Sequence, residues 1–313
     1  MSGVPTSPPL APEWVALDWG TSNLRAWAIG PDGSVLAEAQ SGSGMAGLAS
    51  DAFEPVLLDL IGDWLPAASR TPVVACGMVG SRQGWVQADY ATVPCPPLPD
   101  MPFAVAPSAD PRIRVHVLHG LRQDRPADVM RGEETQIAGL LAREPAFAGL
   151  ACLPGTHSKW AQLADGRVER FKTYLTGELF ALLSEHSVVR HAVQSTGTDD
   201  AAFVEAVDAA LARPAGLTGE LFGVRAEALL HDLPPASARS RLSGLLIGAE
   251  IAAAVDLWQP REVTLIGAPA LLRAYALGLE RAGIAGRGFP GTELTLAGLA
   301  QARRAIGHEG SCP

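Results

Sequence analysis

The stretch VALDWGTSNLRAWAIGPDGSV, residues 15–35, carries a short apolar run, one carboxylate, a Gly-Thr-Ser-Asn turn and a second apolar run. Arg25 sits inside that second run, and Pro31-Asp32-Gly33 follows it with strong turn chemistry. Glycine and small polar residues between two apolar runs predict a hairpin, and Val35-Leu36-Ala37 can supply a third strand. The stretch reads as a meander whose first turn holds Asp18 and several small polar side chains.

The same order of parts returns in GLACLPGTHSKWAQLADGRVERFKTYL, residues 149–175. Gly20-Thr21 and Gly155-Thr156 lie 135 residues apart, and Asp32-Gly33 and Asp165-Gly166 lie 133 apart. One repeat at so long a spacing is not a solenoid and suggests two related domains. Two unrelated hairpins with similar turns are the alternative.

The chain has 313 residues, 48% of them apolar and 18% charged, which suits two domains of ordinary size. A net charge of −9 and the lack of any Lys/Arg run argue against nucleic acid as a partner. An anionic ligand must then be met by a few placed cations and by backbone amides. Cys76, Cys95, Cys152 and Cys312 match no metal spacing and read as reduced thiols of a cytoplasmic protein. The opening MSGVPTSPPLAP has neither a basic start nor an apolar core and reads as a loose tail. The longest apolar helix candidate, residues 242–255, is interrupted by Glu250 and too short to span a bilayer, so no membrane partner is expected.

Ser50 and Asp51 can cap a helix with apolar positions from Phe53 to Trp64, and Thr176 can cap another over TGELFALLSEH. Residues 72–76 predict a strand entering the loop GMVGSRQGW. RGEETQIAGLLARE predicts a helix with acids at its start, and REVTLIGAPALLRAYALGLERAG a buried strand, a turn and a helix. Gly244 and Gly248, one turn apart, allow a neighbour to approach closely. Residues 94–111 read as a surface excursion. The expected organisation is a tail over 1–12, domains over 13–127 and 128–307, and a tail over 308–313.

A tight glycine turn lets backbone N–H groups converge, and Thr and Ser hydroxyls add donors; this is a phosphate cradle that needs no net positive charge. Asp18 precedes the first turn, whereas the matching position of the second copy is Leu153. A carboxylate on one side only fits a single Mg²⁺ held near phosphates through water. Capping of the turn by Asp18 is the other reading. No Gly-x4-Gly-Lys-Ser/Thr loop is present as a substitute nucleotide site.

With these residues, the chain resembles the acetate and sugar kinase/Hsp70/actin superfamily, and more narrowly the 2-dehydro-3-deoxygalactonokinase family. The blocks that carry the likeness are ALDWGTSNLRAW, CGMVGSRQGW, MRGEETQIAGLLA, LPGTHSKW, FKTYLTGEL and LSGLLIGAE, in the family's order. The resemblance implies an α/β fold with two ribonuclease-H-like domains of actin/hexokinase type hinged over an ATP cleft, whose closure excludes water. It implies that Asp18, Gly20, Thr21, Ser22, Asn23 and Arg25 form a first phosphate loop. Gly155, Thr156, His157, Ser158 and Lys159 would form a second, with Lys159 as a solvated strand residue the alternative. The Gly267-Ala268 turn would meet the adenosine, although the following Pro269-Ala270 departs from the family pattern.

For the base, related kinases carry Asp in a Gly-Asp context, where this chain has Gly132-Glu133-Glu134. Glu133 takes that place, with Glu134 next to it as the second candidate, unless both acids only complement the helix dipole. The loop bearing Met78, Ser81, Arg82 and Trp85 matches the sugar-contacting loop of related kinases. Arg82 is the first choice to pair with a substrate carboxylate, Arg131 and Lys172 are alternatives, and Trp85 is either a wall for a deoxy carbon or core. The implied activity is ATP- and Mg²⁺-dependent phosphorylation of 2-dehydro-3-deoxy-D-galactonate at the 6-hydroxyl, in galactonate breakdown. A kinase of another sugar acid or ketose, and an actin- or Hsp70-like switch, are the competing readings. The C4 epimer and the oligomeric state stay open, a homodimer included.

Overall fold

The structure is a computed structural model that describes residues 10–100 and 103–309. Cys312 and most of both expected tails lie outside those residues. The chain divides into two compact units. Unit 1 is residues 1–147, 166–168 and 293–313, and unit 2 is residues 148–165 and 169–292.

In unit 1 the meander forms as expected: β1 Trp14–Trp19, β2 Leu24–Ile29 and β3 Val35–Ser41, paired antiparallel in turn. Helix α1, Phe53–Ile61, and a 3-10 turn, Gly62–Trp64, follow. Ala52 is the N-cap and gives no side-chain hydrogen bond, so Ser50 and Asp51 do not cap this helix as the sequence suggested. Strand β4, Thr71–Cys76, lies parallel to β1. Strands β5, Tyr90–Thr92, and β6, Phe103–Val105, come next, followed by β7, Ile113–Leu118, parallel to β4. Part of the expected surface excursion is therefore sheet: β6 pairs antiparallel with β7 and completes the order β3-β2-β1-β4-β7-β6. Strands β8, Gly120–Asp124, and β9, Ala127–Met130, make a small second sheet with β5, and α2, Glu133–Arg143, follows.

Alternation along β1 and β4 sorts the core of unit 1. Val15, Leu17, Trp19, Val73 and Ala75 pack with Phe53, Leu57 and Ile61 of α1. Trp14, Ala16, Val74 and Cys76 pack with Leu299 and Ala302 of the last helix. At about 25 cal/mol per Å², burying one such large side chain stabilises by roughly 2 kcal/mol. The face that takes Trp14 and Ala16 also takes Asp18, so period two alone delivers a carboxylate to the strand's end on that side.

Unit 2 repeats the plan with β10 Gly149–Leu153, β11 Ser158–Ala164 and β12 Arg167–Tyr174, then α3 Thr176–Glu185, α4 Asp200–Ala212, α5 Leu217–Leu230 and α6 Pro235–Trp258. Strand β13 Glu262–Gly267, helix α7 Pro269–Arg281, strand β14 Ala285–Pro290 and helix α8 Gly291–Glu309 complete the chain. The sheet order is β12-β11-β10-β13-β14, with β13 parallel to β10 and β14 parallel to β13. Without β6, the sheet of unit 1 has this same order. Each unit is thus ribonuclease-H-like, as expected. Thr176 is the first residue of α3 and Leu175 its N-cap, so the predicted threonine cap is displaced by one residue. Gly244 and Gly248 seat α6 on α4: a Cβ at Gly244 would lie 2.4 Å from the Phe203 carbonyl oxygen. The expected second tail begins inside α8, at His308.

Candidate active site

The first Gly-Thr turn is built from inside. Gly20 N–H donates to the Asn23 carbonyl at 2.9 Å, which closes the loop between β1 and β2. Met45 and Ala46 N–H donate to the carbonyls of Gly20 and Thr21, both at 3.1 Å. Gly44 lies so close beneath that a Cβ there would sit 2.2 Å from the Thr21 carbonyl oxygen. Trp19 Nε1 adds a bond to the Ser43 carbonyl at 3.0 Å. The carbonyls are thereby taken up by the protein, while Thr21, Ser22 and Asn23 remain exposed. A cavity of about 590 Å³ opens beside the loop, lined by Asn23, Arg25, Gln40, Ser41 and Gly42.

Asp18 ends β1 next to this loop, with Oδ2 accepting from Arg25 Nη2 at 2.6 Å and Oδ1 3.9 Å from the Cys76 thiol. Burial raises its pKa, and the Arg25 charge and hydrogen bond oppose that rise. Burial also pushes the Cys76 thiol well up, helped by the nearby charges of Asp18 and Glu134. Two glycines draw these groups together. Gly77, at φ +93°, has no room for a Cβ, which would lie 2.8 Å from the Trp19 carbonyl oxygen. Gly132, at φ +110°, packs on Gly77, with a notional Cβ 3.3 Å from its Cα.

That second glycine starts α2 and lets both acids fold back on the chain. Glu133 Oε2 accepts from Arg131 N–H at 3.0 Å, and the Glu134 carboxylate accepts from Gly132 N–H at 2.8 and 2.9 Å. Their burial differs: Glu133 is half-buried, whereas Glu134 has no exposed surface. Burial, then repulsion from Glu133, push the Glu134 carboxyl up to about 7 against the Gly132 hydrogen bond.

The sugar-loop residues divide. Arg82 is exposed and Met78 half-buried. Ser81 is buried, with Oγ 3.9 Å from Met45 Sδ. Trp85 is core: its ring stacks on Phe53 at 6.2 Å, and Nε1 donates to the Pro107 carbonyl at 3.0 Å. Arg131, an alternative partner for the substrate carboxylate, is buried, donating to the Ala88 carbonyl at 2.7 Å and the Tyr90 hydroxyl at 3.2 Å. Lys172 is half-buried on β12, in unit 2.

The second turn has the same construction. Gly177 supports it as Gly44 supports the first: a Cβ on Gly177 would meet the Gly155 carbonyl oxygen at 2.3 Å. Glu178 N–H donates to the Thr156 carbonyl at 2.9 Å. Thr156 and His157 are exposed, and Ser158 and Lys159 are buried. Lys159 is therefore not a solvated strand residue; its Nζ donates to Thr173 Oγ1 at 3.0 Å. Below the turn, the buried Glu250 accepts from Trp160 Nε1 at 2.7 Å and the Tyr275 hydroxyl at 2.8 Å, and Tyr275 also bonds Ser158 at 2.9 Å. Burial raises the Glu250 pKa, and hydrogen bonds led by that of Thr176 oppose it. Glu250 was legible only as a break in an apolar run. Gly267 ends β13 beside Pro154, and Ala268 is the exposed N-cap of α7.

Among the described residues no cluster of three or more His, Cys, Asp or Glu could hold a metal ion. A lone, partly exposed carboxylate such as Asp18 does fit a Mg²⁺ that keeps its water and takes its other ligands from phosphates.

Comparison with known proteins finds relatives over nearly the whole chain. A probable 2-dehydro-3-deoxygalactonokinase of Rhizobium meliloti is 44% identical over 94% of this chain and 97% of its own. The 2-dehydro-3-deoxygalactonokinase of Escherichia coli is 35% identical over 87% of this chain and 93% of its own. A crystal structure assigned to that kinase, from Sinorhizobium meliloti, superposes with a TM-score of 0.85 at 42% identity, over 94% of this chain and 99% of the other. An activator of 2-hydroxyisocaproyl-CoA dehydratase from Clostridium difficile, 13% identical with a TM-score of 0.50, shares the fold alone. The family model for 2-keto-3-deoxy-galactonokinase matches residues 18–302, from Asp18 through both glycine turns and the paired glutamates, so the chain belongs to the 2-keto-3-deoxy-galactonokinase family.

Proposed function

We propose that this chain transfers the γ-phosphoryl group of ATP to the 6-hydroxyl of 2-keto-3-deoxygalactonate. The observation that carries the reading is the family match over residues 18–302, a span that includes every side chain given a role below. Phosphoryl transfer asks for positioning, charge balance and a proton acceptor. Exposed donors on Thr21, Ser22 and Asn23, and on Thr156 and His157, supply phosphate contacts in the two turns, and the exposed Ala268, after buried Gly267, meets the adenosine.

Glu133 is the proton acceptor in this scheme, because it is the acid at the start of α2 with surface a sugar can touch. Its fixed oxygen bonds Arg131 N–H, which orients the carboxylate. Glu134 is the second candidate, with a carboxyl that exchanges its proton near neutrality. Asp18 would hold Mg²⁺ through water, and the ion, when bound, neutralises phosphate charge. Exposed Arg82 would pair with the sugar carboxylate through two parallel hydrogen bonds.

An ADP-release assay over a panel of sugar acids and ketoses tests the reading, with the product's phosphate located by NMR. ATP turnover that needs 2-keto-3-deoxygalactonate and yields the 6-phosphate is expected. Turnover indifferent to any sugar would replace the kinase with an ATP-driven switch, and preference for another acid would move the substrate.

A further inference from the structure

Glu178 is a first-turn acid of α3, a place where the helix dipole alone explains a carboxylate. Its surroundings ask more of it. Glu178 Oε2 lies 2.5 Å from His157 Nε2, and both side chains are a little under half exposed. Its N–H holds the Thr156 carbonyl, and Gly177 before it supports Gly155.

The duplicated architecture separates these contributions. In unit 1 the turn is held by the same two devices, Gly44 beneath it and Ala46 N–H on the Thr21 carbonyl. The position of Glu178 has no acid in unit 1, since Met45 and Ala46 follow Gly44 there; Asp18, at the end of β1, does not hold the turn's carbonyls. Backbone shape is thus maintained without an acid. What unit 2 adds is an imidazole at His157, where unit 1 has the Ser22 hydroxyl, together with a carboxylate bonded to it. A carboxylate beside a phosphate turn repels its ligand unless it acts through something else.

We propose that Glu178 is a positioning residue: it accepts from His157 Nε2–H and fixes the ring so that, in the form carrying both ring protons, Nδ1–H donates to an oxygen of the nucleotide phosphates. This rests on the kinase reading above. A charge-assisted bond holds one ring nitrogen and leaves the second edge aimed, as carboxylates do for imidazoles in many sites.

A double-mutant cycle tests it, with KM for ATP, kcat and calorimetric Kd for Mg-ADP as readouts. Glu178→Ala is expected to raise ATP KM and ADP Kd about ten-fold, with the larger share of the loss in KM. Glu178→Gln, which retains an amide oxygen for the ring, should lose less and guards against misfolding of the alanine variant. His157→Ala should reproduce the loss, and the double variant should be no worse than His157→Ala alone. Losses that multiply in the double variant, or wild-type ADP binding by Glu178→Ala, overturn the proposal while the kinase stands. Wild-type protein that neither binds ADP nor phosphorylates the sugar acid removes both.

Discussion

Glu134 combines complete burial with a carboxyl pushed up to about 7 from an ordinary 4.5. The folded chain therefore holds this proton more tightly than the unfolded one. The stability it contributes is fully present below about pH 4.5 and is lost as pH rises through about 7. Glu134→Gln, neutral at every pH, should remove that slope. Relative to wild type it should gain stability from pH 5 to pH 8, by up to about 3 kcal/mol, read as the difference in denaturation midpoints. A constant difference across that range would mean the carboxyl is ionised in the folded protein. For activity, Glu133→Gln is expected to lower kcat by about two to four powers of ten with KM little changed. Should Glu133→Gln turn over normally while Glu134→Gln fails, the proton goes to the buried acid instead. The sequence showed both acids in the first turn of a helix, but not their unequal burial, set where Gly132 packs on Gly77 across the chain. The burial of Arg131 was hidden for a like reason: its partners Ala88 and Tyr90 are more than forty residues away.

At the scale of elements, both turns depend on a glycine that no side chain can replace. Gly44→Ala and Gly177→Ala place a methyl within about 2.3 Å of backbone atoms, so the turn above must move. Each should cost roughly 1–3 kcal/mol and raise ATP KM, whereas Gly47→Ala, with nothing within 4 Å, should do neither. Thermal melts and kinetics on the three variants check this, and a silent Gly177→Ala would count against the second turn as a phosphate site. The hairpins themselves were readable because Gly-Thr and Asp-Gly turns between apolar runs are local signals. Strand β6 was not, because its three residues sit among prolines and become a strand only by pairing with β7. Strand β5 was missed for the same reason, since it pairs with β8 some thirty residues on. Thr176 looked like a cap on local grounds, but its hydroxyl is drawn to Glu250, far along the sequence.

For the whole molecule, the repeated sheet order explains why two short motifs revealed the fold class. Each unit reuses one rule, an antiparallel meander followed by parallel strands, and the meander is where turn chemistry is strongest. Ligand linkage belongs to this scale. Saturating Mg-ADP at about 100 times its Kd should raise stability by about 2.7 kcal/mol, seen as an upward shift in Tm. A protein whose melting is indifferent to nucleotide at any concentration would contradict the proposed activity.

Helix α8 seals the sheet face of unit 1 that carries Trp14, Trp27 and Cys76, with Leu299 and Ala302 wholly buried there. Gly139 and Gly298 let it run almost in contact with α2. The residues that close this sheet are thus made some 280 residues after its first strand. A nascent chain must carry Trp14 and Trp27 uncovered on that face until α8 has been made, and shielding by chaperones is the natural consequence.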